Sequence, residues 1–322
     1  MTQPNRDAPA PHLADPFLWH AHLMAFAASA IWSANFALIR YLRHQVGLDP
    51  IPLILLRFEL VALVVLAIWL FRPPALRSLG RRGWAVVLIL AVMCGAVYQW
   101  LQAYGAQGTG SALMSMCIAT APIHAVWLGW LILRERISPW QAAALFIALC
   151  GISLSAAGQA GWTVAALTFP LAVAGSGLLG GLTSVLARHL RDRIGAWDLA
   201  CLVLVVTAAV LLFLTSAHAI DQWRRMPLSG WAAIAHIATL GQLLPIYWWF
   251  RALRRLPVMT VTLYLFVTVM LAGVWGWLLG AEQLNTLDVA AMACVFVALV
   301  LNARNTRKQR TVDAVPAPQI PS

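Results

Sequence analysis

The sequence predicts an all-α integral membrane protein of ten transmembrane helices, arranged as two inverted five-helix repeats. Composition points there first: of 322 residues, 61% are hydrophobic and 10% charged, with a mean hydropathy of +0.79. A soluble domain carries about 25% charged residues, so most of this chain must face lipid or other apolar helices. Ten apolar stretches then recur along the chain, each near the roughly 20 residues that carry a helix across a bilayer. Finally, the region 121–157 is echoed 147 residues later, with Trp130 falling on Trp277, Glu135 on Glu282 and Ser138 on Asn285. Ala37–Pro50 likewise lines up on Val185–Asp198 at an offset of 148, and Trp84 on Trp231 at 147. Five spans per unit is an odd number, so the second copy must enter the membrane upside down.

Residues 1–17 are polar and rich in Pro and Ala, which predicts a disordered cytoplasmic N-terminus. The apolar run that follows is too long for a signal-peptide core, so no cleavage is expected. The first repeat, 18–157, holds spans at Leu18–Tyr41, Ile51–Phe71, Trp84–Gly105, Gly110–Leu133 and Pro139–Ala157. The second, 163–303, holds Thr163–Ala187, Trp197–Ala217, Trp231–Phe250, Val258–Leu279 and Leu287–Ala303. Between the fourth and fifth spans, Arg134, Glu135 and Arg136 stop one helix, since three adjacent charges do not sit in hydrocarbon. Ser138 starts the next as its N-cap, with Pro139 at the first helical position and Gln141 at capping-box spacing. The fifth and tenth spans are the shortest and most purely apolar, which suits packing and lipid contact. The tail 304–322 is basic, then Pro-rich, and reads as a flexible cytoplasmic segment.

Orientation follows from the basic residues, all arginine except Lys308. With the N-terminus inside, seventeen fall on the cytoplasmic side and four (Arg40, Arg43, Arg224 and Arg225) outside, while Arg57 is intramembrane. The positive-inside rule therefore places both termini in the cytoplasm. The net charge of +11 is scattered in short clusters with no zinc or nucleic-acid module, so no nucleic-acid partner is expected. The five cysteines all lie in apolar runs and read as small core residues, with no metal site and no cofactor implied. No P-loop, G-x-S-x-G or H-E-x-x-H pattern occurs, and the chain is not expected to be an enzyme.

Arg57 and Glu59 stand out because both fall inside the second span, where an ionised side chain costs roughly 2.5–3.5 kcal/mol even on lenient insertion scales. Glu59 lies about 13 Å from the start of that span, near mid-membrane. Two residues apart on a helix is about 200°, so the pair do not face each other. Their counterparts in the second copy are Val205 and Thr207. Hydrocarbon favours the neutral acid, which makes Glu59 the proton-coupling candidate, with a buried neutral structural acid as the alternative. Amides and aromatic residues recur in the equivalent third and eighth spans: Gln99, Gln102 and Tyr104 in one, Gln242, Tyr247 and Trp248 in the other. Deep amides need partners across helices or a wetted path. Trp32, Asn35, Tyr264 and His124 are further path candidates, the last on a fourth span that Pro122 should kink. The glycine-rich run Gly175–Gly181 reads as a close helix contact, and Glu135 and Glu282, shared by both copies, as helix-terminus and arginine partners.

The residues also resemble a family. IWSANFALIRY in the first span is similar to the WGSNF-type opening of EamA-like members of the drug/metabolite transporter superfamily. LLRFELVAL in the second is similar to their Leu-Arg-Phe pattern. Pro122, the run Glu135-Arg136-Ile137-Ser138 and Gly151 resemble their P…ER[LI]S…G signature. The likeness covers about residues 20–304, with Val269 and Ala298 in the second copy where the pattern has proline and glycine. It implies ten helices in inverted repeats moving small metabolites or drugs, most often outward.

Inverted repeats place a pathway at their interface near the midplane and allow alternating access. The expected function is secondary transport, as an exporter of small organic metabolites or drugs coupled to protons. The alternatives are a flippase or carrier for lipid-linked sugars, and a membrane scaffold without transport. The expected partners are a small-molecule solute and the lipid bilayer, with homo-oligomerisation left open.

Overall fold

The computed structural model describes residues 16–75, 79–108, 120–157, 168–278 and 286–313. The regular elements among them are all helical. In the first half these are α1 (Pro16–His44), α2 (Pro50–Phe71), α3 (Arg81–Ala91), α4 (Tyr98–Gly108), α5 (Ala121–Leu128) and α6 (Pro139–Ala157). In the second they are α7 (Thr168–His189), α8 (Ala196–Leu212), α9 (Ala217–Arg224), α10 (Leu228–Ala238), α11 (Leu244–Leu253), α12 (Val258–Thr262), α13 (Leu265–Leu278) and α14 (Thr286–Asp313).

Local chemistry explains where these helices start and stop. Prolines at 50 and 52 stand in the first turn of α2, where a missing N–H costs nothing. At α6 the predicted capping box is present. Gln141 Oε1 accepts from the Ser138 N–H at 3.0 Å, and Ser138 Oγ accepts from the Trp140 N–H at 3.3 Å. Pro122 does not kink the interior of α5 but sits in its first turn. The part of the predicted fourth span before residue 120 lies outside the described residues, as do Glu282 and Asn285.

Among the described residues, four helical stretches are long and apolar enough to cross a membrane: Leu18–His44, Pro50–Phe71, Arg81–Tyr104 and Val258–Trp275. Large apolar side chains point outward along them and their neighbours, among them Leu70, Trp130, Phe146 and Phe296. Side chains so exposed suit a hydrocarbon solvent.

Packing runs largely between the halves. α1 lies against α11 and α13, while α7 lies against α4 and α5; α2 packs on α8, and α6 on α14. Each pairing has a counterpart when the halves are exchanged. Gly181 marks the tightest contact of α7, since a Cβ there would meet the Ala125 backbone nitrogen at 2.7 Å and the Ala121 carbonyl oxygen at 2.9 Å. α6 and α14 form a separate apolar cluster from Ala144, Ala148, Val295 and Ala298, closed by Met259, Leu263 and Phe266.

The structure departs from the sequence reading in five places. The seventh span is shorter than predicted: α8 ends at Leu212, and α9 leaves it at 111°. Ser216 causes the restart, its hydroxyl capping the Ala219 N–H. The third and eighth spans are interrupted by π-helical turns at Val92–Val97 and Thr239–Leu243. The ninth is broken between α12 and α13, where Thr262 Oγ1 turns back to the carbonyls of Val258 and Met259. The basic tail continues α14 as helix to Asp313.

Candidate functional site

The π turns of the third and eighth spans begin 147 residues apart, at the repeat offset, while a further π turn, Gly129–Leu133, follows α5. A π turn leaves backbone groups without their usual i→i−4 partners, and such turns are frequent at functional sites. In the third and eighth spans each is met by a polar side chain from another helix. Thr207 of α8 donates its hydroxyl to the Ala91 carbonyl at 3.0 Å. Asn35 of α1 donates its amide N–H to the Gly241 carbonyl at 2.8 Å. Both contacts need glycine: a Cβ on Gly95 would lie 2.0 Å from Thr207 Oγ1, and one on Gly241 2.3 Å from Asn35 Oδ1.

Arg57 and Glu59 leave α2 toward different partners. Arg57 is 6% exposed and donates through Nη2 to Gln99 Oε1 of α4 at 2.6 Å. Its Cζ lies 5.1 Å from the Phe58 ring centroid, and its buried Nε has no partner. On the same turn of α4, Gln102 donates to the Tyr98 hydroxyl at 2.9 Å. Glu59 instead accepts from Thr215 Oγ1 at 2.9 Å, in the turn between α8 and α9. That contact ties it to the end of the seventh span.

The remaining candidates divide between the halves' interface and its edges. Trp32 packs against Trp249 with centroids 5.2 Å apart, and Trp249 donates to Ser184 Oγ at 3.1 Å. Tyr264, in the turn between α12 and α13, meets His22 Nδ1 of α1 at 2.9 Å, a seam continued along α13 by Thr268 to the Ser29 carbonyl and Trp275 to Ser33. Gln242 is buried in the second π turn, and Trp248 is half-buried beside the core. Tyr247 lies in the first half of α11, its hydroxyl accepting from Arg251 at 2.7 Å and its ring meeting Trp197. Tyr104 stacks on the exposed Trp100, and His124 accepts from Trp127 one turn along its own helix at 3.2 Å. The twelve candidates therefore do not form one cluster. Arg57 and Gln99 are joined directly; Glu59, Tyr104, His124 and Tyr247 are engaged elsewhere.

Three contributors were missing from the candidates. Thr207 was recognisable only as a lone hydroxyl in the apolar α8, and His22 only as a histidine within the first span. Arg188 looked like one more cytoplasmic charge. It pairs with Glu135 at 2.6 Å and donates to the carbonyls of Leu253 and Leu256, while Glu135 Oε2 accepts from the Val258 N–H at 3.0 Å. Glu135 thus does what its repeated position predicted, capping a helix start and pairing with arginine.

At the other end of the helices, Asp49 is gripped by α9, with Gln222 Nε2 at 2.6 Å and His218 Nε2 at 3.1 Å. These hydrogen bonds, that from His218 foremost, hold its carboxyl below the ordinary 3.8 despite partial burial. Among the described residues, no group of His, Cys, Asp or Glu is arranged to hold a metal ion.

This geometry can be set beside known proteins. The profile of the EamA-like transporter family matches twice, over residues 19–157 and 168–304. The chain is 26% identical over 290 residues to the "uncharacterized inner membrane transporter YedA" of Escherichia coli (strain K12), covering 86% of this chain and 88% of that protein. It is 27% identical over 294 residues to a "probable terminal-alkyne amino-acid exporter" of Streptantibioticus cattleyicolor, covering 88% and 94%. A crystal structure at 18% identity superposes with a TM-score of 0.72 over 90% of this chain and 98% of the other, a likeness of fold. With both halves matched over nearly their whole length, the chain belongs to the EamA-like transporter family.

Proposed function

We propose that this chain is a ten-span inner-membrane carrier, its two halves inserted in opposite orientations with both termini in the cytoplasm, that exports a small organic solute by alternating access. The observation that carries this reading is the reciprocal packing. The first helix of each half lies on the helices of the third and fourth positions in the other half. The family match over 19–157 and 168–304 divides the chain at the same place. Rocking one half against the other would then open a central path first to one side and then to the other. Export as the direction leans on the name of the relative from Streptantibioticus cattleyicolor.

Untargeted metabolite comparison of cells overexpressing the protein with cells lacking it tests the reading. The expected result is one or a few solutes depleted inside and enriched in the medium; identical pools in both strains refute it. Proton coupling rests on Glu59. Glu59→Gln preserves its hydrogen bond from Thr215 and removes the titration. The variant should bind solute but lose transport driven by a pH gradient. Unchanged pH dependence would make Glu59 a structural acid.

A further inference from the structure

Among the described residues, nothing answers the charge that Arg57 carries. The side chain is 6% exposed, one terminal nitrogen is bonded to a neutral amide, and the buried Nε has no partner. Its other neighbours are a ring face, Phe58, and Tyr98, whose hydroxyl already accepts from Gln102. The nearest acid in sequence, Glu59, is turned to Thr215. The ion-paired carboxylates of the described residues are Glu135 with Arg188, Asp192 with Arg191 and Asp221 with Arg225, while Asp49 is hydrogen-bonded to His218. The equivalent place in the second half is Val205, so the charge is not needed to build the fold twice.

A buried cation held only by neutral groups is a costly arrangement that an arriving anion relieves. The guanidinium presents a planar fork that matches a carboxylate with two parallel hydrogen bonds. Gln99 holds the fork in place from α4, and Phe58 and Tyr98 supply aromatic surface beside it. We propose that Arg57 receives the carboxylate of the transported solute, so that the substrates are organic acids or amino acids with an apolar or aromatic side group. Gln99 is a positioning residue that yields its place on Nη2 as the carboxylate binds. This inference rests on the carrier reading and narrows it to monocarboxylates.

The test uses the full chain in nanodiscs of zwitterionic lipid, so that no anionic headgroup competes, with phenylacetate against phenylacetamide and L-phenylalanine against L-phenylalaninamide. Binding is read by intrinsic tryptophan fluorescence and by thermal stabilisation. At least one carboxylate should bind about tenfold or more tightly than its amide, the loss expected for a charge-assisted hydrogen-bonded pair. Arg57→Gln should erase the difference within the pair, and Arg57→Lys should retain only part of it. The proposal fails if no carboxylate outbinds its amide in the wild type, a comparison that needs no variant to fold, or if Arg57→Gln keeps the preference. Metabolite comparison separates this from the parent reading. Export confined to amines and neutral solutes would refute the carboxylate site and leave the carrier standing. Carboxylate binding without any exported solute would do the reverse.

Discussion

The contact of α7 with α5 offers a test with its control built in. Gly180 and Gly181 are neighbours in one helix, yet they face different surroundings. A Cβ on Gly180 would sit 3.4 Å from Tyr98 Cε2 and 3.5 Å from Ala121 Cβ, which is ordinary contact. On Gly181 it would sit 2.7 Å from the Ala125 nitrogen and 2.9 Å from the Ala121 oxygen, both backbone atoms that no rotamer can move away. Restoring ordinary contact needs the helices to part by about 0.5–0.7 Å. Overpacking of this kind costs about 1–3 kcal/mol. Both substitutions share the gain of up to about 1 kcal/mol that alanine brings over glycine in a helix, so their difference isolates the clash. Gly181→Ala should therefore be about 1–3 kcal/mol less stable than Gly180→Ala, roughly 2–6 °C in apparent melting temperature at about 2 °C per kcal/mol. Thermal unfolding in one detergent, followed by size-exclusion recovery, measures it. Equal melting temperatures would show that α5 and α7 do not meet at Gly181.

Removing Glu135 should cost about 2–4 kcal/mol, because it strands a partly buried Arg188 and an N–H at the start of α12. Glu135→Ala, Arg188→Ala and the double variant form a cycle, and additive losses of melting temperature would refute the pairing. Ser138→Ala should lower stability by about 1 kcal/mol through loss of the α6 cap, with Ser138→Asp restoring most of it; no loss on Ser138→Ala would argue against the capping box. Asp49, whose carboxyl value is lowered by α9, adds stability above its ordinary 3.8 that is lost as pH falls through the lowered value. Asp49→Asn should lack that acid limb in a pH series of melting curves, and an unchanged limb would show that α9 does not grip Asp49. For topology, membrane-impermeant thiol reagents applied outside should reach cysteines engineered at Gln107 and Gln159 but not at Leu79 or Lys308, and labelling at Lys308 would invert the proposed orientation.

The all-helical, apolar character of the chain was readable because it depends on one-dimensional properties: apolar length and stop signals. The Ser138–Gln141 capping box was legible for the same reason, since its partners lie three residues apart. The π turns were not, because a π turn changes no composition and is held by groups far away in sequence, Thr207 and Asn35. Nor was the break after α8, where apolar character runs on through Phe213 and Leu214 and only Ser216 marks the new helix. Arg57 and Glu59 lie between these cases. Helical geometry separated them around α2, but it could not say that one would meet Gln99 and the other Thr215.

Comparing the two halves helps to separate scaffold from chemistry. Where a duplicated position keeps its residue type, as Trp84 in α3 with Trp231 in α10, the shared residue serves an element that both copies build. Where it diverges, the fold has shown that it does not need either version. Position 59 and its counterpart 207 are instructive because both side chains are used, for different ends. Thr207 keeps its hydroxyl on a π-turn carbonyl, which is architecture, while Glu59 hangs from a single threonine at the edge of the α8–α9 turn. At position 57 the divergence is sharper, from a buried cation to valine. A duplicated fold that retains an unanswered charge in one copy alone has a reason for it outside the packing, and a solute carboxylate is the partner whose shape and charge supply that reason.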